Sequence, residues 1–256
     1  MQNLNKTTIT QLNALAEKYE THSFINEDPS QFLYKFQNQA DTEILSFIAA
    51  MLSFGKRDQF IKKINYILEK SESSPHQWIK NKHYLKNFIE SDKTTSSTFY
   101  RFYTNQDMLT FFQELSEILE NYQTFGDFIK AKYQKNPKAY LDQLISESFP
   151  KSKIVPKGKN SPNKRIQMFL RWMVRENSPV DKGFWTWYPK EKLIIPLDTH
   201  VLQQSKKLGI IPEKANATRK TALVITEVLT SIFPGDPVKG DFALFGLGVN
   251  SSQQKN

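Results

Sequence analysis

The sequence predicts an all-α fold, and three observations predict it. Glycine is scarce, 9 residues in 256. The stretches between breaks are rich in Lys, Glu, Gln, Leu and Ile, which favour helix over strand. Apolar residues recur at helical spacing in one segment after another, most clearly Ile166, Phe169, Leu170 and Met173 at i, i+3, i+4 and i+7. Hydrophobic residues make up 39% and charged residues 24%, the profile of a soluble globular chain. The length suffices for one sizeable core or two closely packed lobes.

The elements follow in order. Residues 1–19 read as an amphipathic helix, and the polar connection Thr21–Ser30 follows it. A helix from about Asp41 carries Ile44, Ile48, Met51 and Leu52 and stops at Gly55; Lys56-Arg57-Asp58 leads into a helix with Phe60, Ile64, Ile67 and Leu68. The stretch Lys70–Ser97 holds helix around Trp78 and from Tyr84 to Ile89, with loops on either side. Helices are expected at Gln106–Asn121, Thr124–Lys132 and Pro137–Phe149. A basic break with three prolines and Gly158 spans Pro150–Pro162, and helix resumes from Asn163 to Arg175. An extended piece, Leu193–Leu197, leads into Asp198, and the next helix closes near Leu208 with Gly209 as a left-handed cap. Helix is expected again at Thr218–Phe233. After the turn Pro234–Pro237 comes a last apolar helix with Phe242, Leu244, Phe245 and Leu247, then a frayed polar tail from Asn250.

Composition narrows the chemistry. With no Cys, disulfides, thiolate zinc sites and iron–sulfur clusters are excluded, and four scattered His lack ligand spacing. No metal and no cofactor are therefore expected. No apolar run reaches the ~20 residues of a spanning helix, and the N-terminus lacks a signal peptide's apolar core. A cytoplasmic protein without a membrane partner is the expectation. The net charge is +9, and Lys151 to Lys182 holds nine Lys or Arg against Glu176 and Asp181, a local +7. Such a concentration either attracts a polyanion, nucleic acid first, or only solvates a face. On the helix from Asn163, Lys164, Met168, Arg171 and Arg175 line the side opposite the apolar face, which reads as a basic stripe beginning at a basic hairpin.

The run Ile195-Pro196-Leu197-Asp198-Thr199-His200-Val201, with Lys207-Leu208-Gly209 after it, resembles the helix–hairpin–helix superfamily of DNA glycosylases. Ile48 to Asp58 is similar to its N-terminal helix and DNA-wedging loop, Pro137 to Arg175 to its helix, basic hairpin and helix, and Asp241 to Gly248 to its closing helix. The likeness spans roughly residues 40–250. It is closest to an uncharacterised bacterial family, a domain of unknown function, recognised by Phe169–Arg175, Pro196–Val201 and Asp241–Gly246. The resemblance implies two packed helical lobes with a cleft between them within a single unit, 1–256. One lobe is expected at 41–200, with the hairpin motif at 137–175, and the other at 1–40 plus 201–256.

It also implies chemistry. A glycosylase cuts the bond between a damaged base and its sugar after rotating the nucleotide out of the duplex. Positive charge builds on the sugar, and a nearby carboxylate stabilises it; the resemblance gives that role to Asp198. Read from the residues alone, Asp198 is a helix cap, and the two roles can coexist. Members that also cut the strand use a lysine amine that forms a Schiff base, and Lys164 stands at that place, 34 residues before Asp198. Lys159 and Lys157 are rivals, and an ordinary phosphate-binding or solvated lysine is the plainer alternative.

Phosphate contacts are expected from Lys157, Lys159, Arg165, Arg171 and Arg175, and from Lys56 and Arg57, which stand beside Gly55 in the wedge position. Trp185 and Trp187 are the base-pocket candidates, whereas Trp172 reads as packing, Tyr100-Arg101-Phe102-Tyr103 as a packing corner and His200 as structural. The chain departs from the superfamily in the hairpin, where Gly158 alone stands for a Gly-x-Gly phosphate clamp. The expected function is a base-excision-repair DNA N-glycosylase (a hydrolase), with abasic-site lyase activity as an added option. The partner is duplex DNA with a damaged base, and the protein is a monomer. The alternatives are a catalytically silent DNA-binding or damage-recognition protein of the same fold, and action on RNA or another nucleoside-like substrate.

Overall fold

The computed structural model describes residues 4–88 and 97–253, so the expected helix end at Ile89 and the last residues of the polar tail lie outside the described residues. Twelve α-helices occur among the described residues: α1 (Lys6–Tyr19), α2 (Gln39–Leu52), α3 (Arg57–Lys70), α4 (Pro75–Lys80), α5 (Tyr84–Phe88), α6 (Asn105–Asn121), α7 (Phe125–Lys135), α8 (Leu141–Glu147), α9 (Lys164–Val174), α10 (Thr199–Lys207), α11 (Arg219–Ile232) and α12 (Gly240–Gln253). A two-stranded antiparallel ribbon, β1 (Thr98–Tyr100) and β2 (Tyr103–Thr104), is the sheet seen among them. The protein is predominantly helical, as its composition predicts. None of these helices is long and apolar enough to cross a membrane.

The chain divides into two compact units, residues 1–28 with 158–256 and residues 29–157. Residues 158–200 thus belong with the terminal helices, whereas the sequence reading grouped them with the middle lobe. Long-range ion pairs tie α9 to residues 20, 236 and 241, and Ile194, Ile195 and Leu197 are buried in the core of the terminal helices.

The 29–157 unit is built on aromatic packing. Phe47 of α2 lies 4.7 Å from Phe125 and 5.3 Å from Phe149, ring centre to ring centre, and Phe112 of α6 meets Trp78, Tyr84 and Phe88. Helix starts are capped where the sequence offers the residues. Thr104 and Asp107 form a capping box on α6, and Thr124 and Asp127 form one on α7. The expected Pro137–Phe149 helix is shorter, because Asn136 ends α7 and α8 begins only at Leu141. Two buried carboxylates are spent on backbone: Glu43 accepts from the Gly126 N–H, and Glu114 from those of Lys151 and Ser152.

The other unit packs α1 against α12 around Leu12, Leu15, Ala16, Ala243 and Leu244, joined by Ile195, Val201, Ile225 and Leu229. Gly246 permits this approach, because a Cβ there would sit 2.4 Å from the Tyr19 ring. Gly209 takes the left-handed conformation (φ +70°) expected at the end of α10, and α12 runs on through Gln253 into the predicted tail.

Candidate functional site

Lys164 and Asp198 meet in the terminal unit. Asn163, buried and left-handed (φ +48°), turns the chain into α9, and its carbonyl accepts from the Ile166 and Gln167 N–H groups. The preceding loop is pinned where the Arg219 N–H donates to the Asn160 carbonyl at 2.8 Å. Lys164 is the first residue of α9. On the other side, Leu193–Leu197 is buried and lies outside any helix or strand, and its Ile195 N–H donates to Thr226 Oγ1 of α11 at 3.0 Å. That strut delivers Asp198 to the start of α10.

Asp198 divides its two oxygens. Oδ1 accepts from the Val201 N–H at 2.9 Å and caps α10, while Oδ2 lies 3.4 Å from Lys164 Nζ. The two side chains are 36% and 32% exposed, so both are open to water and to a ligand. A pair this wet contributes little stability, and the α10 N-terminus favours the aspartate charge independently. Capping and a chemical role therefore coexist at Asp198.

A third carboxyl, Asp241 in the first turn of α12, interacts electrostatically with the pair. It is hydrogen-bonded to Arg171, whose guanidinium also stacks over the Phe242 ring at 4.6 Å. Burial pushes the Asp241 carboxyl up to about 6; the Arg171 charge opposes this, Asp198 adds to it, and Lys164 opposes it again. Asp241 thus shares an electrostatic environment with Lys164 and Asp198, although the sequence reading assigned it no role. Its only signal was its place in the Asp241–Gly248 block.

A family model described as a protein of unknown function, DUF2400, matches residues 28–250. The chain belongs to this DUF2400 family. No curated protein and no solved structure matches it. The three segments that suggested an uncharacterised family all fall within the DUF2400 match, and so do Lys164, Asp198 and Asp241.

Two of the phosphate ligands expected in this DUF2400 chain are buried. Arg171 and Arg175 are not on an exposed stripe; they are 4% and 2% exposed, and Met168 beside them is buried. Arg175 pairs with Asp181, with Asp236 and with Glu20 (2.7 Å), while Arg171 reaches Asp181 at 3.3 Å as well as Asp241. Burial works against the Arg175 charge, and Asp181, Asp236 and Glu20 outweigh it, so its pKa lies above the ordinary arginine value. A cation buried among carboxylates is not available to a phosphate. The acids come from residues 20, 181, 236 and 241, too scattered for helical periodicity to find.

Trp185 does not line an open pocket either. It is fully buried, edge-on to Phe169 at 5.4 Å and stacked on Trp187 at 5.6 Å, so it is core rather than pocket wall. Trp187 is half-buried. Trp172 is buried, as packing requires, and His200 is exposed. Lys159 is exposed and Arg165 half-buried in the Lys164 unit, while Lys157, Lys56 and Arg57 are exposed in the 29–157 unit. Lys157 Nζ donates to the Pro150 carbonyl at 2.6 Å. No cluster of three or more His, Asp or Glu suited to a metal ion occurs among the described residues.

Proposed function

We propose that this protein is a DNA N-glycosylase of the helix–hairpin–helix type, with lyase activity on abasic sites, acting in base-excision repair. The observation that carries the reading is the 3.4 Å approach of Lys164 Nζ to Asp198 Oδ2 at a half-exposed helix mouth. In this reaction Asp198 accepts a proton from the ammonium, and Nζ forms a bond to the sugar C1′. The C1′–N bond to the base breaks, and the base leaves with the electron pair and takes up a proton. The ring bond C1′–O4′ then opens to give the Schiff base, and loss of a C2′ proton expels the 3′ phosphate. Asp198 also opposes the positive charge that develops on the sugar. Within the unit that carries Lys164, substrate phosphates fall to Lys159 and Arg165.

The test is borohydride trapping on duplex DNA carrying an oxidised purine or an abasic site. Wild type is expected to give a covalent adduct, Lys164→Ala none, and Asp198→Asn a large loss of base release. No adduct with wild type, or one undiminished in Lys164→Ala, overturns the lysine mechanism. Unchanged base release in Asp198→Asn overturns the carboxylate role.

The lone Gly158 in the hairpin and the loss of Arg171 and Arg175 from the phosphate set favour a second reading, a silent DNA-binding protein. It predicts salt-dependent binding with no product on any lesion. Competition between DNA and RNA strands separates both readings from an RNA substrate.

A further inference from the structure

Tyr100 and Tyr103 pack as a corner, as the sequence suggests, but Phe102 between them is not buried. It is 68% exposed, whereas the other exposed large hydrophobic side chains among the described residues stand at 37–39%. It sits at the tip of the β1–β2 ribbon, where Tyr100 pairs with Tyr103 and leaves Arg101-Phe102 as the turn. Arg101 holds φ +51° there, a left-handed conformation that a non-glycine residue adopts at a cost.

The ring is nevertheless fixed in place. It lies 5.2 Å from Phe54, tilted by 33°, and 4.7 Å from Tyr103, edge-on. Phe54 is itself wedged by Tyr100 and Tyr103 at 5.0 and 5.4 Å, and the Tyr100 hydroxyl donates to its carbonyl. The Arg101 guanidinium lies over the Phe54 ring at 5.9 Å. Gly55, at φ +81°, lets the ribbon seat on the α2–α3 turn, because a Cβ there would meet Arg101 Nη1 at 2.5 Å. The same turn exposes Lys56 and Arg57, with Asp58 as its carboxylate.

We propose that Phe102 is a stacking platform for an unpaired nucleobase, with Arg101, Lys56 and Arg57 holding the phosphates on either side of it. A protein-docking surface or a membrane anchor would need a contiguous apolar patch. Here one seated aromatic face stands beside Arg101, with Lys56 and Arg57 exposed in the turn on which the ribbon sits, and a base with its phosphates matches both. The platform lies in the 29–157 unit, apart from Lys164 and Asp198 in the chain, and shares with the glycosylase reading only the class of partner.

The test compares full-length wild type, Phe102→Ala and Phe102→Trp on a short fluorescein-labelled oligothymidylate and on a strand of equal length made wholly of abasic sites. Phe102→Ala is expected to bind the thymidylate roughly 5- to 150-fold more weakly, the range of one base–aromatic stack. It should bind the abasic strand like wild type, with an unchanged salt slope and thermal midpoint. Phe102→Trp is expected to add an emission that the thymidylate quenches and the abasic strand does not. Equal thymidylate affinity in Phe102→Ala and wild type overturns the proposal. So does a wild type that binds neither strand, or that binds phosphatidylserine vesicles instead. Base-dependent binding without a borohydride adduct sustains the platform and removes the lyase; an adduct with no effect of Phe102→Ala does the reverse.

Discussion

At the scale of single residues, Asp198 and Asp241 are carboxylates with opposed duties. Asp198 serves a backbone N–H and a lysine at once, and substitution separates the two. Asp198→Asn keeps a good N-cap and loses the charge, so urea unfolding should move by only a few tenths of a kcal/mol (about 0.5 at most), while Asp198→Ala should cost about 1 kcal/mol. Equal losses in both variants would mean that the charge, not the cap, stabilises α10. Asp241 carries a pH signature. Its folded-state value, about 6, lies above the ordinary aspartate value, so the native state binds the extra proton. The stability this group contributes is fully present below about pH 4 and is lost as pH rises through about 6. The unfolding free energy of wild type minus that of Asp241→Asn should therefore fall between those pH values. A flat or rising difference would contradict the assignment.

At the scale of elements, α9 departs most from its own pattern. Its apolar face is where the periodicity puts it, but the opposite face is buried too, from Gln167 to Arg175. Two guanidiniums can lie there only because Asp181, Asp236, Asp241 and Glu20 converge on them. Removing one partner strands the others, so Arg175→Ala should lower stability by about 3–5 kcal/mol. Thermal and urea melts would show it, and a loss under 1 kcal/mol would mean that water already satisfies these carboxylates. The β1–β2 ribbon escaped the sequence reading for a different reason. Its two-residue turn is Arg101-Phe102, without the Asn or Gly that usually marks such a hairpin, and it spans only a few residues.

At the scale of the whole molecule, the chain threads one continuous unit through a discontinuous one. Residues 1–28 precede the 29–157 unit in sequence but complete the core of the other, through Leu12, Leu15 and Ala16 on α12. Burying those side chains is worth about 5 kcal/mol in area terms. Deletion of residues 1–28 should therefore destabilise the unit that carries Lys164 and Asp198, while the helices of 29–157 keep all their own chain. Hydrogen exchange should show protection lost across α10–α12 and kept across α2 and α6. Uniform loss in both units would mean that they unfold as one.

The sequence by itself determined the helical class, most helix positions, the Gly209 cap and the placing of Asp198 at the start of α10. Each is a local matter, decided by propensity, spacing and capping within a few residues. A resemblance to an uncharacterised family, compatible with the DUF2400 match, was likewise legible in short blocks. Only the tertiary structure decided which cations are free. Arg171 and Arg175 look like surface residues until Asp181 and carboxylates from three distant places neutralise them, whereas Lys164 keeps its exposure and gains Asp198. Burial and charge pairing depend on groups brought together across the chain, and no local pattern encodes them. The same holds for Phe102, whose exposure follows from a strained turn and an aromatic seat that periodicity does not register.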